Sequence, residues 1–412
     1  MQLAHKIELK PNNKQKTYFT KACGTARFVY NWALAEWNRR HEENQPLPQE
    51  DHERISGMSL KKAFNAIKAK QFPWTAEVTK YAAQQPFLDL QEAFGRFFKR
   101  QGGRPKFKKK GKARESFYVG GDQLKIKGKK IHVPNLGSVR LKENPRFEGK
   151  INSAVFSKTA DKWFVSIQFE AKEDTRETPS QGRHVGIDIG LESMAVTSDG
   201  HRFESPMPLK KHLRQLARQQ RVMSKKFMTA KEDGRKLFES KNFQKQRMKA
   251  AKIHYKVSCI RKDTLHKLTS FLASNYTGIA IEDLNVKGMV KNHNLARAIQ
   301  DVGFGEFRRQ LTYKTGWRGT DLVVVDRFFP SSKTCSQCHE VKEVMPLTAR
   351  TFECECGFEA NRDYNASLNL LRQIGRVPAE STPVEITALR RSVYPVVVTS
   401  ICESGSKHQI TA

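Results

Sequence analysis

The sequence predicts a multidomain α+β protein, and three observations predict it. At 412 residues the chain exceeds what one hydrophobic core ordinarily serves, so two or three domains are expected. Its hydrophobic period is helical over about 12–101, alternates over about 117–172, and then mixes strands with helices. Four of its seven cysteines fall within 22 residues, Cys335 to Cys356. The other three (Cys23, Cys259, Cys402) stand alone, a pattern that suits a bound metal in a reducing compartment better than a disulfide framework.

Composition narrows the partners. Lys and Arg number 74 against 42 Asp and Glu, a net charge of +32. No fold needs that charge, and its self-repulsion is costly unless a polyanion neutralises it, so a large phosphate-bearing partner is expected. No run of about 18 apolar residues suggests a spanning helix, and the opening MQLAHKIELKPNNKQK lacks the apolar core of a secretory signal. A cytoplasmic protein with no membrane partner is the expectation.

Taken in order, HKIELKP alternates like a strand, and NNKQKTYFTKACGTARFVYNWALAEWNRR reads as two short helices broken at Cys23-Gly24. Residues 41–57 read as a loop; helical periodicity resumes in SLKKAFNAIKAK and VTKYAAQQPFLDLQEAFGRFFKR. The piece GGRPKFKKKGKARESF is a basic connector with interleaved aromatics, a composition suited to gripping a backbone and stacking on bases. Arg104, Lys106, Lys108, Lys109 and Lys110 are its candidate contacts. Short alternating runs from QLKIKG to KWFVSIQFEA predict a small barrel or sandwich. After the polar spacer 173–183 come strands VGIDIG, MAVTSD and HRFES, with a turn at Asp199-Gly200. A very basic helical region spans 208–274, with a break near Gly234 and a stripe of Ile253, Val257, Ile260, Leu268 and Phe271. Strand GIAIEDL, helix RAIQDVGFGEFRRQLTYKTGW, strand DLVVVD, the cysteine loop and helix NASLNLLRQI complete the pattern, and the tail 376–412 is expected to be disordered.

Three carboxylates carry the chemistry. In HVGIDIG, alternation puts Asp188 on the face of Gly186 and Gly190, two small neighbours that leave room for a ligand. Glu282, in IAIEDLNV, shares the face of Ala280, while its rival Asp283 points the other way. Asp363 stands at a helix start, where an aspartate alone reads as a cap. Brought to one sheet edge, the three would repel unless hard cations sat between them, and oxygen donors suit magnesium or manganese. Two such ions stabilise both the attacking and the leaving oxygen of a phosphodiester displacement.

Cys335 and Cys338 form C-x2-C, and Cys354 and Cys356 follow fifteen residues later. That is close to a zinc ribbon with a structural, fully ligated metal, although its second knuckle is one residue short. His339 is a lesser alternative ligand to Cys356.

HVGIDIGLESMAVTSDG, IAIEDLNVKGM, FFPSSKTCSQC and ECGFEANRDYNASLNLLR resemble the RuvC-like nuclease core of the TnpB family, transposon-encoded RNA-guided DNA endonucleases. CGTARFVYNWAL, GGRPKFKKKG and KWFVSIQFE resemble the same family's recognition and wedge segments. The compact type V CRISPR effectors share the core. The resemblance covers about residues 1–374 and implies an RNase H-like (RuvC) α/β core with an inserted zinc ribbon, a β-barrel wedge domain and a helical recognition domain. The implied boundaries are 1–11 with 102–172 for the wedge, 12–101 for recognition, 173–183 for a linker, 184–334 with 357–375 for the nuclease, and 335–356 for the ribbon that binds target nucleic acid. It puts the catalytic acids at Asp188, Glu282 and Asp363, and a phosphate-holding basic residue at Arg350. It implies a guide RNA from the transposon end, double-stranded target DNA beside a short motif, and a monomer carrying one RNA. The aligned R-x-x-Y-N positions, Arg27, Tyr30 and Asn31, become candidate nucleic-acid contacts. The family often has D-R-D where this chain has Asn361-Arg362-Asp363, and the matching acid is the second. Two other functions remain open: an RNA-guided repressor without cleavage, and a strand-transferring transposase.

Overall fold

The structure, a computed structural model, describes residues 2–170, 182–234, 240–346, 348–376 and 397–399. Most of the spacer 173–183 and of the tail 376–412 therefore lies outside the described residues, where the expected linker and disordered tail fall. Two compact units divide the chain, one of residues 1–173 with 394–400, the other of 174–393 with 401–412.

In the first unit, β1 (Gln2–Lys10) leads into α1 (Asn13–Asn44), α2 (Gly57–Gln71) and α3 (Lys80–Phe98). Then follow β2 (Ser116–Gly120), β3 (Lys125–Lys127), β4 (Lys130–Val133), β5 (Gly137–Leu141), β6 (Lys150–Thr159) and β7 (Lys162–Glu170). The expected break at Cys23-Gly24 does not occur: α1 is one helix, capped at Asn12 by a reciprocal pair of bonds with Gln15. A glycine inside a helix costs about 1 kcal/mol, and burial on both sides of it outweighs that. Tyr18, Phe19, Ala22 and Cys23 enter the core of the sheet. Val29, Ala33, Leu34 and Trp37 enter the core shared with α2 and α3. The helix also runs on to Asn44, four residues into the expected loop.

The strands pair in the order β2-β6-β7-β1-β5-β4-β3, and Val397–Thr399 adds a short parallel strand to β1. No pairing of β2 with β3 closes this path among the described residues, so the expected barrel is, as paired, an open sheet. It curls nonetheless, since Ile131, Val139 and Leu141 from one end share a core cluster with Phe117, Val119 and Phe156 from the other.

The second unit begins with β8 (His184–Asp188), β9 (Ser193–Thr197) and β10 (Arg202–Glu204). The helices α4 (Pro208–Glu232) and α5 (Lys241–Asn275) follow, then β11 (Gly278–Glu282), α6 (Val286–Met289), α7 (His293–Val302), α8 (Phe304–Arg318) and β12 (Asp321–Val325). A hairpin of β13 (Thr351–Glu353) and β14 (Glu359–Asn361) precedes α9 (Arg362–Leu371). The single helix expected over 297–317 is two, because Gly303 adopts φ +84°, a left-handed conformation that glycine reaches without strain. The sheet order is β10-β9-β8-β11-β12, with β8, β11 and β12 parallel. Val185, Ile187, Ile279 and Ile281 face Leu265, Leu268 and Leu272 of α5 and Phe307 and Leu311 of α8. Ala280, Val323 and Val325 face Leu370 of α9 on the other side. No helix of the described residues is long and apolar enough to cross a membrane.

Candidate active site and metal centre

The strand register places two of the three acids side by side. Ile187 of β8 pairs with Ile281 of β11 in parallel, so the next residues, Asp188 and Glu282, end adjacent strands at the same edge. Alternation turns both toward the α9 face, because their neighbours Val185, Ile187, Ile279 and Ile281 point to the α5 side. Asp188 is partly buried, and its carboxyl is pushed up to about 7 by burial first and then by the charges of Asp363 and Glu282. Glu282 is raised as well, by burial and by Asp283. Asp363 and Glu282 thus make ionisation of Asp188 less favourable, as crowded like charges do.

Helix α9 supplies the third acid, and Gly186 sets how close it comes. A Cβ at Gly186 would lie 2.0 Å from the Ser367 carbonyl oxygen and 2.3 Å from the Leu371 nitrogen. The space beside Asp188 expected to admit a ligand is therefore filled by the backbone of α9 itself. That packing lays the helix across β8 with its first turn, carrying Asp363, at the end where Asp188 sits. Asp363 is not the cap: the Asn361 side chain accepts from the Asp363 N–H at 3.0 Å and from the Tyr364 N–H at 3.3 Å. With Asn361 as cap, the Asp363 carboxylate is left for other work near the positive end of the helix.

Asp283 is excluded as a rival, since Arg308 and Arg327 both pair with it and, against partial burial, hold its carboxyl below the usual range. Arg350 lies beside the acids through its backbone, which accepts from the Arg362 N–H at 2.8 Å. Its guanidinium is paired with Glu192, four residues after Asp188, at 2.9 Å.

The four cysteines gather as the spacing predicts. Their sulfurs all lie within 4.8 Å of one another, with Cys335 to Cys356 at 3.7 Å and Cys338 to Cys354 at 3.5 Å. A tetrahedral zinc with Zn–S near 2.3 Å requires sulfurs roughly 3.8 Å apart, so the donor set fits that metal. The short knuckle closes because Gly357, at φ +84°, turns back to donate its N–H to the Cys354 carbonyl at 2.9 Å. His339 is outside the quartet and meets Arg372 instead. Two buried asparagines on one face of α9, with no counterpart among the sequence expectations, tie this loop to the helix. Asn365 accepts from the Ser336 N–H at 3.0 Å and donates to the Thr334 carbonyl at 2.8 Å. Asn369 donates to the Ser331 and Thr334 carbonyls at 2.9 and 2.6 Å. Their i, i+4 spacing was the available signal.

In the first unit, three expected nucleic-acid contacts turn inward. Asn31 donates to the Lys108 carbonyl at 3.0 Å and accepts from the Lys108 N–H at 2.7 Å. The Lys108 ammonium sits 3.6 Å from the centre of the Tyr30 ring, which is itself buried. Burial pushes that ammonium below the usual lysine range, with Asp89 opposing. These residues form a clasp that fixes the connector to α1. Arg104, Lys106, Lys109 and Lys110 remain exposed, and Arg27 is partly so.

Family models match three stretches. One described as a probable transposase covers residues 166–293, a Cas12f1-like TNB domain covers 304–370, and a helix-turn-helix domain covers 1–46. Over the last, this chain has one strand and one unbroken helix. The chain is 32% identical to "Putative RNA-guided DNA endonuclease InsQ" of Escherichia coli (strain K12), covering 89% of this chain and 91% of that one. It is 32% identical to a Streptomyces pristinaespiralis protein likewise named "Putative RNA-guided DNA endonuclease", covering 89% and 88%. Among solved structures, CasPhi-2 (Cas12j) bound to crRNA matches at 10% identity and TM-score 0.42, covering 90% of this chain and 98% of that one.

Proposed function

The chain belongs to the TnpB family of RNA-guided DNA endonucleases, and from that premise we propose that it is a transposon's guide-directed nuclease, cutting double-stranded DNA beside a short motif. The observation that carries this reading is the convergence of Asp188, Glu282 and Asp363 at one edge of the second unit's sheet. The strand order β10-β9-β8-β11-β12 with parallel β8, β11 and β12 supports an RNase H-like core. The net charge of +32 supports an RNA and DNA partner held by its backbone, leaving sequence choice to base pairing.

Oxygen donors crowded with like charge suit magnesium, which when bound neutralises the attacking and leaving oxygens of an in-line displacement at phosphorus. Asp188, Asp363 and Glu282 would hold that cation through their carboxylate oxygens. Asn361 holds the first turn of α9 so that Asp363 keeps its orientation. Arg350 exchanges the Glu192 carboxylate for the scissile phosphate. Hydrolysis leaves a 5′-phosphate and a 3′-hydroxyl. The cysteine quartet holds a structural zinc, and Asn365 and Asn369 transmit its order to α9. In the first unit the curled sheet and helices serve as wedge and recognition domains, with the basic connector along the nucleic-acid backbone.

The test is to sequence RNA copurifying with the expressed protein and to offer a plasmid matching its guide segment, in magnesium. A bound RNA of one end sequence and a cut plasmid are expected. Matched DNA bound but uncut would identify a repressor, and joined rather than hydrolysed ends a transposase.

A further inference from the structure

At 86% exposure Phe328 is the most exposed large apolar side chain among the described residues. A lone exposed phenylalanine is ordinary on a protein surface; this one differs in what holds it and where it stands. The Phe328 N–H donates to Asp326 Oδ1 at 2.8 Å, and the Phe329 N–H donates to the Asp326 carbonyl at 3.0 Å. That turn leaves the end of β12 directly, and Phe329 anchors it by packing on the cluster of Ala280, Val323, Val325 and Leu370. The Phe328 ring therefore projects from a fixed turn.

The turn begins at the edge where the acids sit. Val325 is the register partner of Glu282, and Arg327 pairs with Asp283, the residue next to Glu282. An aromatic face thus stands in water near the carboxylates, at an edge where Arg308 and Arg327 gather around Asp283. The chain's net charge of +32 favours an anionic strand over an apolar protein partner, and a base offers the flat surface an aromatic ring can cover. In a duplex both faces of a base are covered by its neighbours, so the occupant is an unstacked base.

We propose that Phe328 is a base-stacking residue, laying its ring on a nucleotide that flanks the scissile phosphate of a single DNA strand. The proposal deepens the nuclease reading above and rests on it. Stacking of one base on one ring fixes the strand's register, and so which phosphate reaches Asp188, Glu282 and Asp363.

The experiment compares Phe328→Ala, Phe328→Tyr and Phe328→Leu with the unaltered protein, all loaded with guide RNA, on matched DNA. Phe328→Ala should lose about 5- to 150-fold in kcat/KM, the factor that ~1–3 kcal/mol per stacked base gives, and should scatter the cut position. Phe328→Tyr should restore both rate and position, and Phe328→Leu should not. 2-Aminopurine placed beside the cut, with Asp188→Ala as background to prevent cleavage, should lose fluorescence only when residue 328 is aromatic. A Phe328→Ala protein that cuts at the unaltered rate and position overturns the proposal, as does full rescue by leucine, which marks a plain apolar contact. An unaltered protein that cuts no matched DNA overturns instead the nuclease reading on which it rests.

Discussion

Replacing Gly186 by alanine adds one methyl group at the point where α9 lies on β8. Its Cβ would meet the Ser367 carbonyl oxygen at 2.0 Å, whereas ordinary contact begins at 3.4 Å. The helix backbone must then retreat by about 3.4 − 2.0 = 1.4 Å, and backbone atoms cannot rotate aside as a side chain would. Overpacking of this kind costs about 1–3 kcal/mol, which for a unit of this size lowers Tm by roughly 2–12 °C. The catalytic cost is larger in proportion, because α9 carries Asp363 and a misplacement near 1 Å can cost about 10²-fold in rate. Gly186→Ala should therefore stay folded and bind guide RNA normally, yet cut matched DNA about 100-fold more slowly. Gly190→Ala is the control, since its Cβ would stand 3.1 Å from the Ser193 carbonyl oxygen, so a few tenths of an ångström suffice and the loss should be distinctly smaller. Melting curves establish folding, and single-turnover cleavage gives the rate. A folded Gly186→Ala protein that cuts at the unaltered rate refutes the claim that this contact sets the position of Asp363.

Three further outcomes follow from the same structure. Cys354→Ser should remove zinc and, through the ties of Asn365 and Asn369 to residues 331–336, slow cleavage by up to about 100-fold; metal analysis with a cleavage assay in saturating magnesium checks both. In chelator, Asp188 keeps its proton up to about pH 7 in the folded protein but only to about pH 4 when unfolded. The folded state then binds more protons between those values, so stability should fall as pH rises from about 4 to about 7, by at most about 4 kcal/mol. Asp188→Asn should flatten that slope in denaturant melts, and an unchanged slope would contradict the assignment. Asn31→Ala should free the connector and shrink the slope of log affinity for RNA against log salt by more than the roughly 0.7 that a single lysine substitution removes; an unchanged slope would show that the clasp does not present the exposed lysines.

The acids were legible because a strand's period of two fixes faces without any tertiary knowledge: Asp188 and Glu282 had to share the side of Gly186 and Ala280. The cysteines were legible because two close pairs separated by a loop are the spacing that a tetrahedral metal site requires. What the sequence hid were choices settled by distant partners. Gly186 reads as open space until α9, more than 170 residues later, fills it. Asn31 and Tyr30 read as nucleic-acid contacts, and only the approach of Lys108, 77 positions away, turns them into a clasp. The unbroken α1 reflects burial on both sides of Gly24 overriding a local helix penalty. The division at Gly303 reflects the opposite, a local left-handed turn that periodicity reads straight through. Asp363 as cap was a sound local reading, and Asn361, two residues earlier, takes that role instead.

The central claim is that Asp188, Glu282 and Asp363 are one metal-dependent cutting site. Its most direct test is cleavage of a guide-matched plasmid in magnesium by the RNA-loaded Asp188→Ala protein beside the unaltered one. Loss of cleavage with guide RNA and target DNA still bound is the predicted result; cleavage by the variant at the unaltered rate would contradict the site.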